Sequence, residues 1–176
     1  FLERNGFKSE IIDYRPKYYD YGKNKFKAYV GRILNLKSYL RQKKKFETFL
    51  IKYDKLTCKQ FKTLVELKSY YKDKDHIFIA GGDQLWNNYH PCGNDDAYKL
   101  SFVSRGRKLA YGTSMGRDNF SEVELKTIAE KVSDFEKIML REKISVLQLK
   151  RYSNVEMCHV IDPVGLLDLD EFKDIA

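Results

Sequence analysis

The chain has no C-x-x-C pair and no even set of cysteines, since Cys58, Cys92 and Cys158 stand far apart. That pattern argues against a disulfide framework and a structural zinc site, and it fits a reducing cytoplasm. No stretch reaches the roughly 18 consecutive apolar residues of a membrane span, and no signal-peptide pattern opens the chain. Membrane association, where it occurs, must be peripheral. Also missing are a G-x-G-x-x-G fingerprint, a G-x-S-x-G elbow, a Ser-His-Asp ordering, an internal repeat and a low-complexity tract.

The 176 residues suit one domain with a core of its own. Hydrophobic residues make up 43% and charged residues 33% of them, an ordinary soluble composition that excludes a wholly disordered chain. A net charge of +8 raises the question of nucleic acid. The lysines are nevertheless spread through amphipathic segments, and only Arg41 to Lys45 is dense. No zinc-finger, RNP-type or glycine-loop signature accompanies them, so nucleic acid is not expected, and the charge serves solubility or attraction to phosphates and sugar acids.

Phe1 to Asn5 read as the last turn of a helix ended by Gly6. Phe7 to Tyr14 is a short strand candidate closed by Arg15-Pro16. From Phe26 to Tyr53, apolar residues recur at spacings of three and four, which predicts two helices in succession. A further helix is expected from Thr57, as N-cap, with Phe61, Leu64, Leu67 and Tyr71 as its apolar stripe.

The rhythm then changes. "HIFIAG", "RKLAYGTS", "FEKIMLRE" and "EMCHVID" are short apolar runs, separated by helical patterns at Ser121 to Lys131 and Lys143 to Tyr152. Ser121 with Glu124 forms a capping box. The fold class expected is α/β: a Rossmann-like, mostly parallel sheet with flanking helices.

In such a sheet, ligands bind outside the carboxyl ends of the strands. "HIFIA" runs into Gly81, Gly82, Asp83, Gln84, Trp86 and Asn87; "KLAYG" into Thr113, Ser114 and Gly116; "KIMLR" into Arg141 and Glu142. These types suit a sugar: amides and carboxylates meet hydroxyls, an indole stacks on a pyranose, and glycines permit close backbone approach. Each has a plainer alternative, with Trp86 in the core, Asp83 capping a turn and Arg141 with Glu142 as an exposed pair. His76 and His159 suit structural roles, and His90 with Cys92 lacks further ligands, so no metal is expected.

Taken in order, "FLERNGFKSEIIDYRP", "FIAGGDQLWN", "LAYGTSMG", "IMLREKISVLQL" and "HVIDPVGLLD" resemble the polysaccharide pyruvyl transferase family over most of the chain. The second motif is similar to G-[SG]-D-Q-x-W-N, with Gly82 in the variable place. The last is similar to D-P-x-x-L-L-D, through Asp162, Pro163, Leu166, Leu167 and Asp168. The resemblance implies the N-terminal half of a glycosyltransferase-B-like two-domain fold, with the active site in the cleft between the halves. Residues 1–162 are then expected to form a Rossmann-like domain lacking its first strand, and 163–176 a linker into a second domain. On that expectation the chain is a fragment, inactive alone, whose donor-site residues lie largely in the other half.

The resemblance further implies transfer of pyruvate from phosphoenolpyruvate, as donor substrate and without another cofactor, onto two sugar hydroxyls. The product is a ketal in capsule, exopolysaccharide or cell-wall glycans, and the acceptor a glycan or lipid-linked sugar. Asp83 and Arg141 are the catalytic candidates, as hydroxyl base and anion contact. Gly81, Gly82, Gln84, Trp86, Asn87, Ser114 and Glu142 are the substrate-binding candidates. The rival readings are a nucleotide-sugar glycosyltransferase of the same architecture and a non-catalytic glycan-binding module.

Overall fold

A computed structural model describes residues 2–19, 40, 41, 44, 45, 48 and 55–167. The chain divides into two compact units, Phe1–Thr63 and Leu64–Ala176. In the first, Glu3–Asn5 form a 3-10 turn closed by Gly6, whose N–H donates to the Glu3 carbonyl at φ 82°, as the sequence predicts. The strand expected over Phe7 to Tyr14 is reduced to two isolated parallel bridges, Ile11 with Leu56 and Tyr14 with Phe61.

Those bridges also overturn the helix start at Thr57. The Thr57 N–H donates to the Ile11 carbonyl at 2.9 Å and the Phe61 N–H to the Asp13 carbonyl at 2.8 Å, so this backbone is committed to partners that a helix would forbid. Instead of capping, the Thr57 hydroxyl accepts from the Asp13 N–H at 3.1 Å and donates to the Lys59 carbonyl at 2.9 Å. The helices expected over Phe26 to Tyr53 lie largely outside the described residues.

The second unit holds a four-stranded sheet of β1 (Ile77–Gly82), β2 (Arg107–Thr113), β3 (Lys137–Leu140) and β4 (Glu156–His159). All pairings are parallel and the order is β1-β2-β3-β4. The flanking helices are α1 (Leu64–Tyr71), the single turn α2 (Pro91–Asn94), α3 (Glu122–Lys131) and α4 (Lys143–Leu149). This is the Rossmann-like α/β arrangement expected from the sequence, and each strand falls on its apolar run.

Side chains alternate across a strand, and the burial follows. Phe78, Ala80, Ala110, Ile138, Leu140 and Met157 are buried on one face, whereas Ile77 and Ile79 of β1 remain about half exposed. Tyr71 of α1 meets Phe78 edge-on at 5.3 Å, and Phe102 closes the same cluster at 5.6 Å.

The capping box expected at Ser121 and Glu124 starts α3. Leu125, Ile128 and Ala129 form its buried stripe. At seven residues α4 is too short to hold by propensity alone, so its buried Val146 and Leu149 secure it against β3 and β4.

One irregularity shapes the site. Pairing runs Ala80 to Ala110 but Gly82 to Thr113, and Tyr111 to Met139 but Thr113 to Leu140, so Gly112 is an extra residue in β2 relative to both neighbours. Its φ is 61°, and a Cβ there would lie 2.7 Å from the Pro163 ring. Only glycine fits such a bulge, and it re-aims the residues that follow.

Candidate functional site

Parallel strands deliver their following loops to one edge, and backbone bonds fix those loops beyond the strands. Ser114 N–H donates to the Gly82 carbonyl at 3.1 Å, Trp86 to Ser114 at 3.2 Å, Arg141 to Thr113 at 3.2 Å and Val160 to Leu140 at 2.9 Å. Four loops therefore meet at the carboxyl edge. Gly81 is exposed and Gly82 half-buried where β1 ends.

At the edge, Arg141 bridges two carboxylates. Its Nη1 lies 2.6 Å from Asp83 Oδ1 and 2.5 Å from Asp162 Oδ2. The side chains differ in exposure, at 22% for Arg141, 83% for Asp83 and 45% for Asp162. Asp162 is held twice, because its Oδ1 also accepts from the Val164 N–H at 2.9 Å and caps the 3-10 turn Pro163–Leu166. That backbone bond first, and Arg141 second, hold the Asp162 carboxyl below its usual range. The Arg141 pKa is raised, chiefly by the bond to Asp162.

Arg141 and Glu142, adjacent in sequence, do not pair with each other. Glu142 turns to the β2 loop, where Oε1 accepts from the Ser114 hydroxyl at 2.5 Å and Oε2 from the Met115 N–H at 3.1 Å. Ser114 is buried and its hydroxyl is engaged, so the pair ties two loops together instead of facing a ligand.

Trp86 does not offer the stacking face expected of it. It is fully buried, its indole N–H donates to the Tyr98 carbonyl at 3.0 Å, and it meets Phe135 edge-on at 5.9 Å. Burial of so large an apolar surface outweighs what an exposed platform would gain. Asn87 is likewise buried. Its Nδ2 donates to Gln84 Oε1 at 3.1 Å and its Oδ1 accepts from the Tyr89 N–H at 3.1 Å, so both ends shape the loop. Gln84 is exposed, with φ 50°, and backs onto Gly116, whose φ of 68° and missing Cβ leave room for it.

Two features stand outside the site candidates read from the sequence, although Asp162 belongs to its last motif. Asp162 was recognisable as the polar residue following the fourth strand, by the same rule that selected the others. The second is a clamp around Arg117, which lies between the Tyr89 and Phe120 rings at 4.1 and 3.7 Å. Arg117 Nη2 donates to Asn88 Oδ1 and, at 2.5 Å, to Glu124 Oε1. Glu124 also accepts from Asn88 Nδ2 at 2.5 Å and from the Ser121 N–H at 2.7 Å. These bonds, Asn88 first, hold its pKa down to about 2. No sequence signal marks Arg117, because Asn88 and Tyr89 reach it from the loop after β1, about thirty residues away in sequence.

Among the described residues, no group of three His, Cys, Asp or Glu is placed to hold a metal ion. No helix among them is long and apolar enough to cross a membrane.

Fold and edge together define a Rossmann-like α/β chain with a charged, solvent-open site at the carboxyl end of a parallel sheet. The family model for polysaccharide pyruvyl transferase matches residues 1–176, the whole chain, and the protein belongs to that family. Neither a curated protein nor a solved structure matches it.

Proposed function

We propose that the protein transfers the pyruvyl group of phosphoenolpyruvate to two hydroxyls of one sugar, forming a cyclic ketal in capsule, exopolysaccharide or cell-wall glycan synthesis. Family membership supports the pyruvyl transfer. The observation that carries the site is the meeting of Asp83, Arg141 and Asp162 at one accessible edge.

The chemistry sets the demands. Protonation of the donor's methylene carbon makes C2 electrophilic, and one hydroxyl adds there and gives up its proton. Phosphate then leaves with the electron pair of its bond to C2. The second hydroxyl adds and gives up its proton, which closes the ketal.

A base beside the hydroxyls and a cation beside the phosphate or carboxylate are therefore required. Asp83, exposed and paired with the Arg141 guanidinium, is the base for an acceptor hydroxyl. Arg141 is the anion contact, since a guanidinium matches phosphate and carboxylate geometry. Gln84 orients the sugar, and Gly81 with Gly82 lets the backbone approach it. Trp86, Asn87, Ser114 and Glu142 build the loops that hold these groups. This reaction uses no metal or organic cofactor, and the acceptor is a glycan or lipid-linked sugar presented in the cytoplasm.

The leaving group gives the test. The full-length protein is incubated with glycan acceptor and either phosphoenolpyruvate or nucleotide sugars. Phosphate release with a ketal-bearing product is the expected result. Release of nucleoside diphosphate alone would assign the glycosyltransferase reading, and turnover of neither donor the binding-module reading.

A further inference from the structure

Arg141 carries one positive charge and touches two carboxylates, so the cluster as it stands is net negative. Such a site repels the anion that the guanidinium is there to receive. An incoming phosphate or carboxylate reaches Arg141 at full strength only when one aspartate steps aside. The two aspartates are unequally suited to leave.

Asp162 is anchored by both oxygens, Oδ1 on the Val164 N–H and Oδ2 on Arg141, and the rigid Pro163 follows it. Swinging its side chain would uncap the turn. Asp83 is 83% exposed, and among the described residues its carboxylate engages Arg141 and not the backbone of its own turn. Its backbone is nonetheless fixed, because the flanking Gly82 carbonyl and Trp86 N–H are both bonded to Ser114. The side chain is therefore free to rotate about an immobile Cα. Releasing an exposed ion pair is cheap, a few-fold in equilibrium terms.

We propose that Asp162 is the positioning residue of Arg141 and that Asp83 is its exchangeable partner. An anion arriving at Arg141 displaces the Asp83 carboxylate, which is thereby freed to face the acceptor hydroxyl. The inference rests on the assignment of Arg141 as the donor's anion contact, and it adds an order: donor anion first, active base second. Before the anion arrives, the ion pair with the guanidinium occupies the base; afterwards the base is unmasked beside the bound donor.

The test uses the full-length protein and two probes, inorganic phosphate and phosphoenolpyruvate, titrated by calorimetry into wild type, Arg141→Ala, Asp83→Asn and Asp162→Asn. Wild type binds both probes and Arg141→Ala loses them. Asp83→Asn removes the competitor and tightens binding roughly two- to fivefold. Asp162→Asn loosens Arg141 and weakens binding by a similar factor or more, although it too removes a negative charge. Its melting temperature stays near that of wild type, because Asn caps a turn almost as well as Asp.

Opposite signs for the two aspartates support the proposal. Tightening by both would show charge alone at work and overturn it, as would weakening or no change in Asp83→Asn. Anion binding that survives in Arg141→Ala, or that wild type lacks, overturns it as well. Failure of the pyruvyl transfer reading looks different: the phosphate series keeps its opposite signs while phosphoenolpyruvate is never consumed.

Discussion

Replacing Glu124 by Gln tests whether the clamp around Arg117 is electrostatic. Glu124 Oε1 accepts from Arg117 and Asn88, and Oε2 from the N–H and hydroxyl of Ser121. A glutamine keeps the size but must turn its NH2 toward one of these sets. The Ser121 side is the less costly, because that hydroxyl is able to accept, so the bond from the Ser121 N–H is lost along with the charge beside Arg117. A lost hydrogen bond contributes about 1 kcal/mol. Losing the charge beside a guanidinium only 8% exposed contributes at least as much.

The titration leads to the same figure. Lowering the pKa from 4.5 to about 2 corresponds to at most about 3.5 kcal/mol at roughly 1.4 kcal/mol per pH unit. With 26% of the side chain still exposed, solvent screening reduces this to about 2 kcal/mol. The folded pKa is the lower one, so this stability is fully present above the unfolded value of about 4.5 and is lost as pH falls toward about 2. Urea unfolding should therefore show Glu124→Gln about 2 kcal/mol less stable at neutral pH, with the gap narrowing by about half near pH 3. A gap that stays constant with pH, or that is under about 0.5 kcal/mol at neutral pH, would refute the electrostatic account.

Trp86→Phe should cost about 2 kcal/mol, through lost volume and the lost indole bond to the Tyr98 carbonyl, and leave the acceptor KM unchanged; a raised KM at unchanged stability would restore the stacking role. Gly116→Ala should destabilise by about 1 to 2 kcal/mol, since its Cβ would meet Gln84 Cγ at 2.7 Å from a left-handed backbone, and a neutral result in thermal unfolding would contradict that packing. Asp83→Asn in the full-length enzyme should lower turnover by roughly a hundredfold or more, with a melting temperature near that of wild type. Unchanged turnover would retire Asp83 as a base.

The sheet was readable because each strand is a short apolar run whose burial follows from composition alone. The segment from Thr57 was not, because a threonine hydroxyl serves equally as a helix cap or as an acceptor for a distant N–H. At Thr57 the partner is Asp13, 44 residues away, and nothing local distinguishes the two outcomes. The same limit applies at the edge. That Asp83 and Arg141 come together follows from parallel topology, which brings the ends of β1 and β3 to one side. That Trp86 turns inward depends on Tyr98 and Phe135, and that Arg117 meets both Asn88 and Glu124 depends on the loops after β1 and β2 folding together.

The stretch "GGDQLWN" divides along this line. Its glycines end the strand, while Trp86 and Asn87 are spent on the loop, one as an anchor in the core and the other as an internal strut. Asp83 and Gln84 remain for solvent. An exposed carboxylate at the end of a mobile side chain is poorly positioned for catalysis unless its backbone is immobile, since misplacement by an ångström costs orders of magnitude in rate. The buried half of the stretch supplies that immobility. Changes at Trp86 should therefore reach the chemistry only through the placement of Asp83, lowering turnover and stability together. Changes at Asp83 should separate the two, and comparing both variants in turnover and in unfolding distinguishes a residue that acts from one that holds it.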